Sequence, residues 1–274
     1  MTTTGTGRRV RTGSVTAGAA LAGSLAVLCL GAGSAGATVV LPPELQALEQ
    51  KAATLKITSE RFSLTETVLA SLEGEETVSI AGRSLLSPPE GEVSETIKGK
   101  HVVVRIVGHW AYLAYPGLAR IDGNRPWVRT SVTALEKEGG VNPAAAPTSP
   151  AAGYQLLNSA TESIKEIGPA VVAGQPTVEF SARVNIAGLI SSFGPELVHA
   201  LEAKDITTAG YTLYIAADGL PVKVEDSIEA SGDQIVTTFM VLETNEPVTV
   251  RAPSRRRYIS LAEFERVERR HAKK

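Results

Sequence analysis

Histidine is the side chain in this sequence best suited to acid–base chemistry or metal binding near neutral pH. No two of the four histidines lie three to five residues apart, a spacing common among histidine ligands of a metal. They are His101, His109, His199 and His271. Their positions therefore predict surface or helix-end residues and no metal site.

Other arrangements for catalysis are equally sparse. The chain has no Gly-x-Ser-x-Gly turn for a nucleophilic serine and no glycine-rich loop for phosphate. The paired carboxylates Glu75 and Glu76 adjoin a predicted turn, where we expect water to solvate them. We therefore predict that the protein is not an enzyme, has no catalytic residues and needs no cofactor.

The N-terminal 37 residues have the organisation of a secretory signal peptide. Three arginines between residues 8 and 11 precede an apolar run over 15–30, and the small residues 34–37 follow it. We expect cleavage before Thr38 and a secreted, extracytoplasmic mature protein. The alternative is a retained anchor, but the apolar run is interrupted by glycine and is shorter than the roughly 20 residues of a membrane span.

Cys29 is the only cysteine and lies inside this segment. A lipid-modified cysteine normally follows a small residue, whereas Leu28 precedes this one. We therefore expect no lipid anchor at Cys29. The mature chain then has no thiol, and its stability depends on its core without a disulfide.

Charge is distributed unevenly along the mature chain. Residues 38–250 are acidic, whereas residues 251–274 hold nine Lys or Arg against three Glu. An acidic body argues against nucleic-acid binding, which needs a basic surface. The length allows one large domain or two small ones. We predict one domain over 38–253 followed by a basic tail or helix over 254–274.

Apolar spacing predicts four helices. In the first, which opens at Pro42 and Pro43, Leu45, Leu48, Ala52 and Leu55 recur at helical intervals. The others are predicted over 154–164, 188–204 and 261–270. Three prolines and a Gly-Gly pair over 136–152 predict a flexible segment.

Alternating apolar and polar residues predict the strands. The pair Asp218-Gly219 predicts a hairpin with a two-residue type I′ turn, and residues 87–91 are predicted to be a loop. The predicted strands cover 57–68, 77–86, 101–107, 110–115, 167–173, 177–186, 209–217, 220–230 and 234–243.

Strands that follow one another through short turns pair antiparallel, so this order predicts an α+β fold. It has a single curved antiparallel sheet with helices covering the concave face, because a twisted sheet of this many strands curls. Two similar half-domains divided at 136–152 are the alternative.

Several short stretches, in this order, resemble the LolA-like and LppX/LprG-like extracytoplasmic lipoprotein-carrier superfamily. The resemblance spans about residues 44–253. Its stretches are KITSERF at 56–62, VRIVG at 104–108 leading to Tyr112 and Pro116, GNRPWV at 123–128, VAGQPT at 172–177 and YIAADGLPV at 214–222. It implies a half-open β-barrel that binds lipids, acyl chains or lipidated molecules between the sheet and its helices.

A binding function needs a large, accessible apolar surface. The predicted lid is Leu189, Phe193, Leu197 and Leu201. The predicted walls are Phe62, Leu64, Val68, Val102, Val104, Ile106, Val178, Phe180, Val184, Leu213, Ile215, Val222, Val224, Phe239 and Val241. The alternative is that these side chains pack on one another as an ordinary core.

The function predicted is extracytoplasmic binding, and transport, of a hydrophobic ligand such as a lipid or lipidated molecule by a monomer. The alternative is a sensor or structural module of the same fold that binds a partner protein and carries no lipid. Residues 251–274 either rest on an anionic membrane surface, or dock on the acidic body or are disordered.

Overall fold

The computed structural model describes residues 40–70, 74–86, 88–97, 100–114, 118, 122, 125–137, 154, 161–189, 202, 205–230 and 233–271. The predicted signal peptide with Cys29, nearly all of the segment predicted to be flexible, and most of the predicted helix 188–204 lie outside these residues.

The strands of the described residues form a single sheet, as predicted. This sheet has twelve strands. The sheet order is β12-β6-β5-β4-β3-β2-β1-β11-β10-β9-β8-β7, so β12 and β7 are its two edges and the sheet is open. All neighbouring strands pair antiparallel except β12 and β6, which are parallel. The strands are β1 (Ser59–Ala70), β2 (Gly74–Leu86), β3 (Pro89–Ile97), β4 (Lys100–Val107), β5 (Trp110–Ala114), β6 (Trp127–Ser131), β7 (Thr161–Val172), β8 (Gln175–Asn185), β9 (Thr208–Ala216), β10 (Pro221–Ala230), β11 (Asp233–Thr244) and β12 (Tyr258–Ser260).

Four strand assignments differ from the sequence-based prediction. Strand β3, which begins inside the region predicted to be a loop, was missed, as were β6 and β12, and β7 occupies residues predicted to end the helix 154–164. Prolines and polar residues obscure the alternating pattern of β3, and β6 has only five residues, too few to show a clear pattern. Strand β7 is an edge strand with two irregularities in its pairing with β8, so its apolar residues do not alternate strictly.

The β9–β10 hairpin is confirmed, but its predicted turn type is wrong. The amide of Gly219 donates to the carbonyl of Ala216, the amide of Ala216 donates to the carbonyl of Leu220, and Gly219 has a φ of 92° whereas Asp218 is not left-handed. This is a three-residue loop with a glycine bulge. The turn with two successive positive φ angles is Ala173 (49°) and Gly174 (85°), between β7 and β8.

Helix α1 (Pro43–Ala52) covers the β8–β10 part of the sheet. Proline in its first turn fits a helix start, where its missing amide hydrogen is not needed. Its buried residues Leu45, Leu48 and Ala52 pack in one core with Phe180 and Ile215. Helix α2 (Val132–Lys137) follows β6, and a 3₁₀ turn (Ile186–Leu189) follows β8.

The C-terminal segment docks on the sheet. After a 3₁₀ turn (Arg255–Arg257), β12 pairs with β6 and leads into helix α3 (Leu261–His271). Ile259 is fully buried against Leu118 and Val128, and Phe264 packs on this cluster. Residues 258–271 are thus part of the folded body.

Candidate ligand-binding face

The register of the strands defines which side chains share a face. One row runs Leu213, Val224, Phe239, Leu64 and Ile80 across β9, β10, β11, β1 and β2. Leu213 and Val224 belong to the core beneath α1, so this row lies on the helix-covered side of the sheet. We call this side the inner face.

The β8–β10 part of the inner face is an ordinary core. Phe180, Val184, Leu213, Ile215 and Val224 are all buried under α1. Val178 is half-buried at the margin of the same core. For these six predicted wall residues, α1 and neighbouring side chains fill the space.

The middle of the inner face is different. Leu64 and Phe239 are buried, and the half-buried side chains Phe62, Ile80 and Val241 surround them. The rings of Phe62 and Phe239 lie 5.5 Å apart, centroid to centroid. No residue of a described helix belongs to this group. We call these five residues the central apolar strip.

Beyond the strip, the sheet is covered again at β4 to β6. Ile106 and Ala111 are buried against Leu135 of α2, and the half-buried Val104 packs at the edge of this group. The central apolar strip therefore lies between a part covered by α1 and a part covered by α2.

The remaining predicted residues have separate positions. Val68 is half-buried in register with Ile235, and Val102 is half-buried in register with Glu95. Val222 does not lie beside the other predicted wall residues. A pairing irregularity after Pro221 places it in a cluster with Val172 and Ala216. The predicted lid residues Phe193, Leu197 and Leu201 lie outside the described residues, as does the side chain of Leu189.

Buried acidic residues on the inner face were missed by the sequence-based prediction. Burial raises the pKa of Glu60, and the Ser84 hydroxyl, which donates to this carboxylate at 3.0 Å, lowers it. Burial also raises the pKa of Glu66, and the nearby carboxylate of Glu95 raises it further. The signal in the sequence is that Glu60 and Glu66 have the same parity as Phe62, Leu64 and Val68.

Asp226 is the acid most strongly affected. Burial raises its pKa to about 7, the neighbouring Thr237 hydroxyl and the backbone lower it, and the Glu66 carboxylate raises it. Its side chain is 3% exposed. This carboxyl group therefore holds its proton up to near-neutral pH.

The opposite face of β4 to β6 carries stacked arginine and aromatic side chains. The guanidinium of Arg129 lies 4.1 Å from the ring centroid of Trp110 and 5.0 Å from that of Tyr258. Arg105 lies 4.6 Å from the ring of Trp127. The contact of Arg129 with Tyr258 joins β12 to β6, and the other two contacts lie within β4 to β6.

The described histidines are on the surface. His101, His109 and His271 are exposed, and His109 contacts the ring of Trp110 at 5.4 Å. His199 lies outside the described residues. In the part of the chain that the structure describes, no three His, Cys, Asp or Glu side chains are grouped to hold a metal ion. No helix there is long and apolar enough to cross a membrane.

Comparison by sequence finds no matching family model and no matching curated protein. Comparison of structures finds the LppX-like fold that the resemblance implied. The lipoprotein LppX of Mycobacterium tuberculosis has a TM-score of 0.51 at 17% identity, over 77% of this chain and 100% of LppX. LprF from Mycobacterium bovis has a TM-score of 0.48 at 16% identity, over 80% of this chain and 99% of LprF. A LolA superfamily protein from Nitrosomonas europaea has a TM-score of 0.31 at 11% identity, over 77% of this chain and 96% of that protein. At these identities the likeness concerns the fold.

Proposed function

We propose that this protein binds a hydrophobic ligand, such as a lipid, an acyl chain or a lipidated molecule, against the inner face of its sheet. The observation that carries the proposal is the central apolar strip, where Phe62, Ile80 and Val241 stay half-buried between the parts covered by α1 and α2. Accessible apolar side chains on one face are what an acyl chain needs. The fold it shares with LppX is consistent with this use.

Burial of hydrocarbon is strong enough for useful affinity. Each methylene group removed from water contributes about 0.8 kcal/mol. A dozen of them therefore contribute about 10 kcal/mol, more than the roughly 8 kcal/mol of a micromolar complex, before the cost of ordering the chain. In the central apolar strip the aliphatic side chains Leu64, Ile80 and Val241 join two phenylalanine rings to supply this surface.

The proposed site of action is outside the cytoplasm. The support is the order of arginines, apolar run and small residues over 8–37, together with the position of Leu28 before Cys29. On this proposal the mature protein begins at Thr38, carries no lipid anchor and acts as a free monomeric carrier in the cell envelope.

Native mass spectrometry of the full chain tests the binding proposal. Methyl stearate is the probe because it is uncharged and mostly hydrocarbon. We expect the wild-type protein to bind it and Val241→Asp to lose it, because the new carboxylate enters the central apolar strip. Leu242→Asp is the matched control, since the neighbouring side chain is 55% exposed.

Protein purified from its own host gives a second measurement. A co-purifying lipid on the wild-type chain, absent from Val241→Asp, supports the carrier. A wild-type protein that is uniformly empty and binds no methyl stearate overturns it and favours the module that binds a partner protein. Circular dichroism of both variants checks that each is folded.

A further inference from the structure

One end of the sheet carries positive charge without the acids that prevail in the rest of the chain. Strands β4, β5, β6 and β12 and the segment 247–257 contain lysine and arginine but no Asp or Glu. Residues 38–250 taken together are acidic. We call these four strands and this segment the basic end of the protein.

The segment 247–257 lies against the face of the sheet opposite to the inner face. It connects β11, at the middle of the sheet, with β12 at the edge. Arg105 on β4, whose guanidinium packs on the ring of Trp127, donates a hydrogen bond to the carbonyl of Arg251 at 3.5 Å. The backbone of the segment is therefore held on the sheet, while its arginine side chains are exposed.

Two arginines of the basic end pack on one tyrosine ring. The guanidinium groups of Arg255 and Arg129 lie 4.9 Å and 5.0 Å from the ring centroid of Tyr258. Arg129 donates to the Tyr258 hydroxyl at 3.2 Å, and Arg255 donates to the Tyr258 carbonyl at 3.4 Å. Nε of Arg129 is buried without a hydrogen-bond partner among the described residues. The ring holds both cations in place without a carboxylate to neutralise them.

Arg256 and Arg257 extend this charge into the solvent. Both side chains are exposed, and neither forms an ion pair with a described residue. Their 3₁₀ turn is closed by a hydrogen bond of 2.8 Å from the amide of Arg257 to the carbonyl of Ser254. At the other end of the sheet, the exposed Arg183 pairs with Glu162 at 3.4 Å. We call the turn Arg255–Arg257 the arginine turn.

Helix α3, which follows the arginine turn and β12, adds little to this charge. Its three arginines are balanced by three glutamates, and Arg269 pairs with Glu265 at 3.7 Å. Its apolar residues Leu261 and Phe264 pack on the buried Ile259. The basic end therefore offers a partner exposed charge, whereas the apolar side of α3 is turned to the sheet.

An anionic membrane surface fits this distribution of charge. Acidic lipid head groups attract Lys and Arg and repel the acidic remainder of the chain, so the basic end faces them. Trp110, half-buried beside Arg129, adds a ring of the kind that lies at the level of lipid head groups. The proposed location in the cell envelope favours a lipid surface over a nucleic acid.

We propose that the arginine turn, together with Arg129 on the Tyr258 ring, docks the protein reversibly on an anionic phospholipid membrane. Docking goes beyond the proposed binding of a hydrophobic ligand and uses the opposite face of the sheet. It holds the carrier at the surface from which an apolar ligand is collected.

Flotation of the full chain with lipid vesicles tests the docking proposal. Vesicles of phosphatidylcholine alone are compared with vesicles that also contain the anionic lipid phosphatidylglycerol. We expect binding only to the anionic vesicles, and its loss at high salt, because salt screens exposed charges. Arg256→Gln combined with Arg257→Gln should weaken binding about 25-fold, about fivefold for each charge removed.

Lys165→Gln combined with Arg183→Gln is the matched control. It removes two positive charges from exposed side chains at the other end of the sheet, on β7 and β8. The net charge changes equally, but the basic end is intact, so binding to the anionic vesicles should be nearly unchanged. Circular dichroism checks that both double variants are folded.

Tryptophan fluorescence shows which face docks. The sequence has two tryptophans, Trp110 and Trp127, and both lie at the basic end. Phosphatidylcholine with a spin label on its head group, mixed into the anionic vesicles, should quench their emission in the wild-type protein and in the control. Vesicle binding without quenching would place the contact on another face and overturn the proposal.

The outcomes separate docking from ligand binding. The arginine double variant should bind methyl stearate as the wild-type protein does. Equal flotation with both kinds of vesicle, or with neither, overturns docking and leaves the proposed function standing. Equal losses in the two double variants also overturn it, because net charge alone would then explain the binding. Binding to soluble heparin without binding to anionic vesicles overturns it in favour of a soluble polyanion.

Discussion

The ring of Phe62 on β1 lies directly over Gly82 on β2. A Cβ atom on Gly82 would be 2.1 Å from Cζ of Phe62, so the ring occupies the space that any other residue at position 82 would take. The two residues are partners in the register of β1 and β2. Because Gly82 has no side chain, the Phe62 ring of the central apolar strip can occupy this space.

Gly82→Ala should displace the Phe62 ring and weaken binding of methyl stearate. The clash involves the end of a movable side chain, so we expect a stability loss of only about 1 kcal/mol. Titration of the ester against both proteins measures the first effect and urea unfolding the second. The double variant Gly82→Ala, Phe62→Leu should lose less unfolding free energy than the two single variants together, because the smaller side chain relieves the clash. A loss equal to the sum of the two single losses would show that the ring contact is not the cause.

Gly219→Ala should destabilise the protein severely. A Cβ atom there would lie 2.2 Å from the carbonyl oxygen of Leu48 and 2.6 Å from the amide nitrogen of Ala52, both backbone atoms of α1. Its φ of 92° adds strain for any other residue. We expect a loss of at least about 3 kcal/mol in the free energy of unfolding.

Gly174→Ala is the matched control for Gly219. Its φ of 85° is similar, but nothing lies within 4 Å of the added Cβ atom. Gly174→Ala should lose only the free energy of placing alanine in a left-handed backbone conformation, about 1–2 kcal/mol. Equal losses at the two glycines would show that the contact between α1 and the β9–β10 turn contributes nothing.

The stability of the ligand-free protein should fall between about pH 4 and pH 7. The pKa of Asp226 is about 7 in the folded protein against 3.8 for an ordinary aspartate, so the folded state binds more protons than the unfolded state in this range. Stability is then lost as the pH rises through this window and levels off above it. Glu60, Glu66 and Glu95 shift in the same direction.

Asp226→Asn should flatten this dependence. The variant should be more stable than the wild-type protein at pH 8, and the difference should shrink toward pH 4. Urea unfolding at several pH values measures it, with the exposed Glu229→Gln on the same strand as control. A wild-type stability that rises from pH 5 to pH 8 and is unaffected by Asp226→Asn would contradict the assignment.

Ile259→Ala should show that the C-terminal segment is part of the core. Ile259 is fully buried against Leu118 and Val128, so its truncation should cost about 2–4 kcal/mol of unfolding free energy. Val267→Ala, at a half-buried position of α3, should cost well under half as much. Similar small losses at both positions would mean that the segment contributes little to stability.

Sequence patterns predicted the parts of the fold in which one face of an element is strictly apolar. Strand β8 alternates from Val178 to Val184, and α1 repeats leucines at helical spacing, so both were recognised. Apolar periodicity does not reveal a strand that is held by backbone hydrogen bonds and buries few of its side chains. In residues 161–166 of β7, which were not predicted to be a strand, Glu162, Lys165 and Glu166 are exposed at a sheet edge, so no apolar alternation marks the strand there.

The candidate site was predicted in its apolar part and missed in its polar part. Phe62, Leu64, Phe239 and Val241 do come together, because β1 and β11 pair in the register that places the apolar residues of both strands on the same face. Glu66 and Asp226 occupy inner positions of the same alternating series, but apolar periodicity counts such residues as interruptions. Only the register of three strands shows that they are adjacent.

The pairing of β1 with β11, and of β6 with β12, has a consequence for biosynthesis. Strand β1 is synthesised first but can pair with β11, at the middle of the sheet, only after β11 has been made. The edge of the sheet at β6 is completed by β12 only after residues 258–260 have been made. A nascent chain leaving the ribosome therefore exposes unfinished strands until residues 258–260 have been made. Closing such distant pairs is slow, so a chaperone that shields the growing polypeptide would improve its yield.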